Sequence, residues 1–572
     1  MFPKLVFSRF KILLLIYLLP FVVLLWFVAT FSVNVPYWDE WELVDIFEKV
    51  STGKASFGDF FAQHNEHRIV FPELIMVFFA FISKWNIGYE VYFSFFLAII
   101  TFFALYKLSS LKVENELSNS VVLTNILTCF LIFSLVQYEN WLWGFQLAWL
   151  LINTCLAIAV LLIALSNNSP KRFYFAAIPC FIASFSLAHG LLTWLAVIPS
   201  IASLKGSSRQ RRIRILIWIL LFAGTCAIYL IGYQKPTSHP SPFFFLRKPL
   251  VAGKYFFTLL GNPLVNKPIA TPIIGLIIFL IFCFLTFLFI KKSQPKFLLD
   301  VEVVSWISIG SFALLFAAMT TVGRAGFGVE QAMSSSRYTT SSLLLIISIV
   351  HLWRLFSWNN AFLAGTIIGL LFVNSVDAIP QASLLQQQRQ ASKNCLELVN
   401  FIDESINEPP GSCLTTLYPS TIRLKELAIT LEKLGFRKFP REIKFKPASS
   451  PAHGFFDGIS NGSSGPKIEV GQATTFEVSG WAILSNKKKP ADLILITDGN
   501  TNSVVTVAPV NLKRPDVAKA MNNSAYKHSG WRAELNTSIL PTSPIVINGW
   551  AYDSASKEAT QLDNSLQVVV LN

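Results

Sequence analysis

The first 380 residues contain repeated apolar runs, each close to the roughly 20 residues that a helix needs to cross a lipid bilayer. Such runs predict membrane-spanning helices. Nine single spans are predicted, at about residues 10–31, 90–108, 119–137, 145–166, 213–232, 272–290, 301–320, 340–357 and 361–380. Only 14% of the residues are charged, against about 25% in an ordinary soluble protein. The chain is therefore predicted to be an integral membrane protein.

Two other apolar stretches do not fit a single span. Residues 173–204 are too long for one crossing, carry His189 at their middle and have basic residues on both flanks, which predicts an out-and-back hairpin. Residues 69–84 are short and contain Glu73, so an interfacial helix against the outer leaflet is expected. The total is about eleven spans, with the N-terminus in the cytoplasm and the C-terminus outside.

The net charge of +14 is concentrated in the short connections between the predicted spans. Sixteen cations lie there against two acids, Glu114 and Glu116, a difference that equals the whole net charge. The cations are Lys4, Arg9, Lys11, Lys107, Lys112, Lys171, Arg172, Lys205, Arg209, Arg211, Arg212, Arg214, Lys291, Lys292, Lys296 and Arg354. This distribution is typical of the positive-inside signal that orients membrane proteins, and it argues against a nucleic-acid partner.

A different composition begins after Pro380. Polar amphipathic patterns predict a soluble α-helical linker region over 381–466, and short alternating runs with turn residues predict a β-sandwich over 467–572. The fold class is thus a polytopic α-helical membrane domain over 1–380 with a soluble C-terminal region. Cys395 and Cys413 lie in that region and can pair in an oxidising compartment, although their spacing leaves the pairing open.

The sharpest chemical motif directly follows the first span, in the acidic outer segment 32–89. Asp39 and Glu40 are adjacent carboxylates, flanked by Trp38 and Trp41 at the membrane surface. Partly desolvated acids of this kind suit general-base or metal-assisted chemistry, and indole planes suit the face of a sugar. The alternative is an interfacial aromatic belt with solvated acids.

The arrangement of an acidic pair after the first span, a loop of interfacial helices, a multispan body and an outward C-terminal domain resembles the GT-C glycosyltransferases. That superfamily includes protein mannosyltransferases and the aminoarabinose and arabinosyl transferases. Its first outer loop carries an Asp-Glu signature whose Asp serves the acceptor, and Asp39-Glu40 matches this signature. FPEL at 71–74 looks like a degenerate form of the family's HPPL segment. The resemblance covers about residues 10–380.

The resemblance implies further roles on other outer segments. Glu139, in the segment 137–144, is the candidate for the second acid that members of the superfamily often carry there. Acids at membrane depth are costly and tend to mark function, whereas the alternative is a solvated residue of an aromatic belt.

A Gly- and Ser-rich stretch at 320–342 contains Arg324, Arg337 and the candidate pocket residue Tyr338. Two outer arginines can clamp a lipid-linked phosphate, and the alternative is a flexible turn with snorkelling side chains. Arg247, Lys248 and Lys254, in the basic outer segment 233–271, are further candidates for phosphate or for lipid headgroups.

Three histidines are candidate pocket residues. His64 and His67 lie three residues apart in HNEHR, where metal ligation and interfacial hydrogen bonding are both open. His189, at the apex of the predicted hairpin, is either a satisfied polar residue or part of the site.

These observations predict a glycosyltransferase of GT-C type in a bacterial inner membrane. Because nucleotide sugars are cytoplasmic, an outward-facing site requires a polyprenyl-phosphate-linked sugar donor. Asp39 would take the acceptor's proton, while Glu40 and Glu139 would orient the acceptor or a divalent cation. The acceptor can be a glycan, a lipid or a protein, and the metal requirement stays open. The alternatives are a transporter or flippase of lipid-linked sugars, and a non-catalytic glycan-binding scaffold.

Overall fold

The computed structural model of the chain describes residues 2–111, 118–167, 169, 171–237, 239–292, 300–356, 358, 360–401, 413–459, 467–471, 475–537, 540 and 544–571. Lys112, Glu114, Glu116 and Lys296, which contribute to the charge argument, lie outside the described residues. The chain divides into two compact units. The first comprises Met1–Ser32 and Ala55–Ser383, and the second comprises Val33–Lys54 and Leu384–Asn572.

The first unit is helical and confirms a multi-pass membrane protein. Within the described residues, nine helices are long and apolar enough to cross a bilayer. They are Ile12–Phe31, Gly88–Ser109, Asn119–Leu142, Gly144–Ala164, Ser208–Tyr229, Ala270–Lys292, Val301–Phe327, Ser336–Leu355 and Ala361–Leu396. Their ranges overlap the nine single spans predicted from the sequence, and the last of them continues well beyond the predicted end of its span.

The predicted hairpin and the predicted interfacial helix both form helical structure. The stretch 173–204 is built of short pieces, Lys171–Phe175, Ala177–Ser184, Ala188–Leu191, Leu192–Ala196 and Ile198–Ala202. Val70–Ser83 is a 14-residue apolar helix, too short for a typical span. The total of eleven spans stays a prediction.

Close helix crossings bring the ends of several helices together. Helix Pro249–Gly261 crosses helix Ala270–Lys292 in backbone contact, because a Cβ atom at Gly261 would lie 2.0 Å from the carbonyl oxygen of Thr271. A Cβ atom at Gly275 would lie 1.8 Å from the carbonyl oxygen of Phe257. Only glycine permits this approach, which is a common way for membrane helices to pack.

A buried ion pair connects two other helices of this unit. Glu302, in the first turn of Val301–Arg324, pairs with Arg354, in the last turn of Thr339–Leu355. Both side chains are buried, and Arg354 also donates to the carbonyl oxygen of Ser109 at 3.2 Å. The pairing compensates part of the cost of burying each charge.

The second unit joins residues 33–54 to the C-terminal region. Helix Leu43–Ser51 packs against the 3₁₀ turn Trp38–Glu42 and against helix Thr421–Lys433. Arg423 binds Asp45 with Nη2 at 2.8 and 2.7 Å from the two carboxylate oxygens. Cys395 and Cys413 form a disulfide, which resolves the pairing that the sequence left open.

The remainder of the second unit is a ten-stranded sheet within the described residues. Its strands are β1 Lys444–Lys446, β2 Gly454–Ile459, β3 Lys467–Gly471, β4 Thr475–Leu484, β5 Lys489–Pro490, β6 Leu493–Asp498, β7 Val504–Leu512, β8 Gly530–Asn536, β9 Ile545–Asp553 and β10 Glu558–Leu571. The order is β1-β10-β9-β6-β7-β8-β4-β2, with β3 against β10 and β5 against β4.

The sheet encloses a core that explains its strand pattern. Pairing is antiparallel except that β1 and β3 run parallel to β10. The core contains Trp531 and Phe456, whose ring centroids lie 5.1 Å apart. β1 and β2 precede Lys467, the residue at which the sequence becomes rich in strand signals. The predicted strand-rich C-terminal region is confirmed, and its division into the two sheets of a sandwich stays a prediction.

Candidate functional site

The acidic motif after the first span forms a 3₁₀ turn, Trp38–Glu42, anchored from within. Glu40 is fully buried, and its Oε2 accepts a hydrogen bond from the backbone N–H of Tyr37 at 2.7 Å. Trp41 is also fully buried and donates through Nε1 to the carbonyl oxygen of Pro36 at 3.0 Å. Both side chains therefore fix the turn rather than present themselves to a ligand.

Asp39 and Trp38 occupy the outward part of the same turn. Asp39 is partly exposed, and the Trp38 side chain is 42% exposed. Trp38 has φ +51°, a conformation that bulky residues rarely adopt and that concentrates at functional sites. A hydrogen bond of 2.7 Å from its N–H to the carbonyl oxygen of Leu417 stabilises this backbone. The turn thus presents one carboxylate beside an exposed indole.

Charges around this turn belong to the same unit. The Arg389 side chain is buried, donates to the carbonyl oxygen of Val35 at 3.0 Å and lies 5.1 Å from the ring centroid of Tyr37. Burial raises the pKa of the Tyr418 hydroxyl, and the negative charges of Glu42 and Asp39 add to the shift. The outer side of the turn is therefore an acidic environment, backed by a buried guanidinium.

Glu139, the predicted second acid, lies in the membrane unit and binds a neighbouring turn. Its Oε2 accepts hydrogen bonds from the Ser336 hydroxyl at 3.2 Å and from the Arg337 N–H at 2.9 Å. Its own N–H donates to Ser336 Oγ at 3.0 Å. Glu139 therefore positions the turn Ser336–Tyr338, which contains two of the predicted site residues.

Aromatic rings surround that turn. The Arg337 guanidinium lies 5.9 Å from the ring centroid of Trp143 and 5.5 Å from that of Tyr338. Tyr338 is buried, and its hydroxyl accepts from Gln331 Nε2 at 3.0 Å. Tyr255 donates to Gln331 Oε1. The three side chains form a hydrogen-bonded chain.

The two predicted phosphate-binding arginines share one electrostatic environment. Burial and the neighbouring Tyr338 raise the pKa of Tyr255, while the charges of Arg324 and Arg337 oppose this rise. Both guanidinium groups are thus close enough to act on the same tyrosine. Their joint role in binding a phosphate stays a prediction, and Arg324 also has a carboxylate partner.

That partner is Glu66, which the sequence analysis did not select. Glu66 forms an ion pair with Arg324, and its carboxylate lies 3.5 Å from Nε2 of His67 and 3.4 Å from Nε2 of His239. Burial by itself raises the pKa of Glu66, but the charges of His67 and Arg324 and several hydrogen bonds outweigh it and lower the pKa to about 2. The carboxylate stays ionised.

The HNEHR segment acts as a junction of loops in this unit. His67 Nδ1 accepts from the N–H of Ala188 at 3.1 Å, so in the neutral ring the proton is on Nε2, which faces Glu66. Arg68 donates to the carbonyl oxygens of Tyr229, Phe61 and Ile231. The motif could have been found from its charge density in an otherwise apolar region, but its partners Ala188, Tyr229 and Ile231 are more than 100 residues away.

The remaining predicted pocket residues have structural contacts. The His64 backbone exchanges hydrogen bonds of 2.9 and 2.8 Å with His67, and its ring lies 5.4 Å from that of Phe145. His189 is buried, with its ring centroid 4.5 Å from that of Trp149. Within the described part of the chain, no group of three or more His, Cys, Asp or Glu side chains is arranged to hold a metal ion.

A cavity of about 970 Å³ opens beside the turn that Glu139 positions. Of the residues singled out in the sequence, Lys254 and part of the Gly- and Ser-rich stretch 320–342 line this cavity. Arg247 and Lys248 lie on exposed surface. The lining consists of Val136, Tyr138, Lys254, Asn262, Asn266, Lys267, Pro268, Phe327, Gly328, Val329, Glu330, Met333, Ser334, Ser336, Asn374, Asp377, Ala378, Pro380 and Gln381. Sequence reasoning missed the cavity because its polar residues are single amides and charges from separate segments.

No protein-family model matches this chain, and neither a curated protein nor a solved structure shows significant similarity to it.

Proposed function

We propose that the protein is a membrane glycosyltransferase of GT-C type, which transfers a sugar from a polyprenyl-phosphate-linked donor to an acceptor outside the cytoplasm. The observation that carries the proposal is the geometry of the acidic turn. Asp39 is partly exposed and directly follows Trp38, whose indole is exposed. The backbone of Trp38 has a conformation that bulky residues rarely adopt. A partly exposed carboxylate next to an aromatic residue is an arrangement that suits a general base acting on a sugar hydroxyl.

The roles follow from the environment of each residue. Asp39 accepts the proton of the acceptor hydroxyl as that oxygen attacks the sugar of the donor, and the lipid phosphate leaves. Glu40 is fully buried and hydrogen-bonded to Tyr37, so we assign it the role of positioning the turn. Arg337, with Arg324 nearby, neutralises the charge that develops on the leaving phosphate. Glu139 orients Arg337 through its backbone.

The proposal includes the finer topology: about eleven spans counting the hairpin at 173–204, a cytoplasmic N-terminus, and a C-terminal unit on the periplasmic side of a bacterial inner membrane. Two observations support it. The disulfide between Cys395 and Cys413 suits an oxidising compartment. The contacts of Glu66 with His67, His239 and Arg324 join residues that the charge pattern assigns to the same side of the membrane.

One observation favours the alternative of a transporter or flippase for lipid-linked sugars. The buried ion pair between Glu302 and Arg354 lies within the membrane unit, where ionisable residues often mark transport pathways. Because the pair lies in the terminal turns of both helices and is neutralised internally, we give the enzyme priority. The non-catalytic scaffold would need a glycan site alone, without a donor.

Donor turnover by the purified protein separates the three functions. The protein, in nanodiscs, is incubated with a radiolabelled polyprenyl-phosphate sugar and an envelope glycan fraction. The enzyme releases polyprenyl phosphate and labels the acceptor. A flippase moves the intact donor between leaflets of a vesicle without cleaving it, and a scaffold does neither. Intact donor after prolonged incubation with every acceptor fraction would contradict the proposal.

A further inference from the structure

The membrane unit contains a cavity of about 970 Å³ with polar residues in its lining, which the proposed reaction does not use. We propose that it binds a neutral, hydroxyl-rich oligosaccharide. This inference rests on the proposed function, because the sugar that it names is a substrate of that reaction. It is carried by the charge balance of the lining, by the direction of its amide groups and by one buried oxygen.

The lining charges balance each other. Lys254 and Lys267 are matched by Glu330 and Asp377, and Lys267 Nζ lies 3.3 Å from Asp377 Oδ2. A phosphate needs an excess of cations, which this cavity lacks. Arg324 and Arg337, the candidates for the phosphate, are absent from the lining. The electrostatics therefore favour an uncharged ligand.

Three asparagine side chains in the cavity wall donate hydrogen bonds from their amide nitrogens to backbone carbonyl oxygens. Asn262 Nδ2 lies 3.2 Å from the carbonyl oxygens of both Ala332 and Met333, and Asn266 Nδ2 lies 3.2 Å from that of Met333. Asn374 Nδ2 donates to the carbonyl oxygens of Asn262 and Pro263 at 2.8 and 3.1 Å. This leaves the amide oxygens as acceptors for a ligand.

One of these oxygens is buried and has no partner among the described residues. Asn262 is 3% exposed, and its Oδ1 accepts no hydrogen bond within the described chain. Leaving a buried acceptor unsatisfied costs free energy, which a ligand donor would recover. Phosphate oxygens are themselves acceptors, whereas every sugar hydroxyl can donate. The same chemistry fits the carboxylates of Glu330 and Asp377.

The volume and the apolar part of the wall fit a short oligosaccharide. Ligand pockets usually range from about 300 to 1,000 Å³, so this cavity has room for several sugar rings. Phe327 lines it with a side chain that is 47% exposed and can cover the face of a ring. The sugar hydroxyls can come from an acceptor glycan or from the sugar of the lipid-linked donor.

The test measures binding of neutral trisaccharides to the full-length protein in nanodiscs by saturation-transfer difference NMR. The probes are maltotriose, mannotriose, galactotriose and chitotriose, with inorganic phosphate as the charged competitor. We expect at least one trisaccharide to bind. Asn262→Leu and Glu330→Gln should each weaken that binding about fivefold or more by removing an acceptor, and Ser334→Trp should abolish it by filling the cavity.

Glu534→Gln, an exposed substitution on β8, is the matched control and should leave binding unchanged. Glu330 is exposed, so its substitution reports on the cavity even if Asn262→Leu unfolds the protein. Displacement of the trisaccharide by a polyprenyl-phosphate sugar identifies the donor as the source of the hydroxyls, and lack of displacement identifies the acceptor; both support the inference.

Two results would overturn the inference. In the first, no trisaccharide binds, or Ser334→Trp does not reduce the binding. In the second, inorganic phosphate displaces the trisaccharide, and this displacement depends on Lys254. The same binding assay on Asp39→Asn keeps the two proposals separate. Asp39→Asn should bind trisaccharide like the wild type, and wild-type protein that binds trisaccharide but never cleaves a donor would contradict the proposed function alone. Donor cleavage without any trisaccharide binding would contradict this inference and leave the proposed function intact.

Discussion

Asp39 and Glu40 are neighbours in the sequence and lie in opposite environments. The carboxylate of Glu40 is fully buried and accepts the N–H of Tyr37 at 2.7 Å, whereas Asp39 remains partly exposed. The first acid is in contact with solvent, and the second stabilises the turn that contains both. Stability and activity should therefore respond differently to substitution at the two positions.

Glu40→Ala should destabilise the protein. It removes the acceptor of the Tyr37 N–H and a negative charge that acts on the buried guanidinium of Arg389. We expect a loss of about 3 kcal/mol in the free energy of unfolding, measured by denaturant titration in detergent. Glu48→Ala, at an exposed position on the following helix, should change it by less than about 0.5 kcal/mol. Equal effects would contradict the structural role of Glu40.

The Glu66 ion pair should make stability depend on pH. The folded pKa of about 2 lies below the ordinary value of 4.5, so the stabilisation is complete well above pH 4.5 and is lost as the pH falls towards 2. A shift of this size corresponds to roughly 3 kcal/mol at neutral pH.

Thermal unfolding of wild type and Glu66→Gln between pH 2 and 7 checks this dependence. The gap between the two unfolding midpoints should be widest above pH 5 and should close towards pH 2. Glu534→Gln provides the comparison at an exposed position. A gap that stays constant across the range would refute the electrostatic origin of the stabilisation.

Much of the membrane unit could be predicted because each membrane-spanning helix is determined by the hydropathy of its own residues. A run of apolar residues satisfies its own backbone as a helix, and the span positions follow from the sequence alone. The grouping of Val33–Lys54 with the C-terminal region could not be predicted. It depends on contacts such as that of Arg423 with Asp45, which are 378 positions apart in the sequence. No periodic pattern in the sequence indicates such a contact.

The candidate site, too, could be predicted only in part. The acidic pair was recognisable because Asp39 and Glu40 are adjacent, but their separation into an exposed and a buried acid depends on Tyr37 and on the fold of the turn. The pairing of Arg324 with Glu66 spans 258 positions. The cavity is built from residues of five separate segments, so no local sequence pattern predicts it.

The disulfide predicts a specific count of accessible thiols. The chain has seven cysteines, of which Cys395 and Cys413 are paired. Mass spectrometry of the denatured, alkylated protein should show five modified thiols before reduction and seven after it. Replacing both paired cysteines by serine should lower the free energy of unfolding by about 3 kcal/mol. Seven alkylated thiols without reduction would contradict the pairing and its support for an oxidising compartment.

Single-cysteine labelling tests which side of the membrane each segment faces. Ser334→Cys, at an exposed position in the segment 321–339 that is predicted to lie outside, should react with an impermeant maleimide in intact cells. Ser208→Cys, exposed in a basic connection that is predicted to be cytoplasmic, should react only after permeabilisation. The reverse pattern would overturn the topology and with it the requirement for a lipid-linked donor.

The most direct test of the proposed function is the rate of sugar transfer by Asp39→Asn. Asparagine keeps the shape and the hydrogen bonding of the side chain and cannot accept the proton, so transfer from a polyprenyl-phosphate sugar should fall by about 10²- to 10⁴-fold at unchanged thermal stability. Glu48→Gln, measured beside it, should retain wild-type turnover. Wild-type turnover by Asp39→Asn would contradict the assignment of Asp39 as the base.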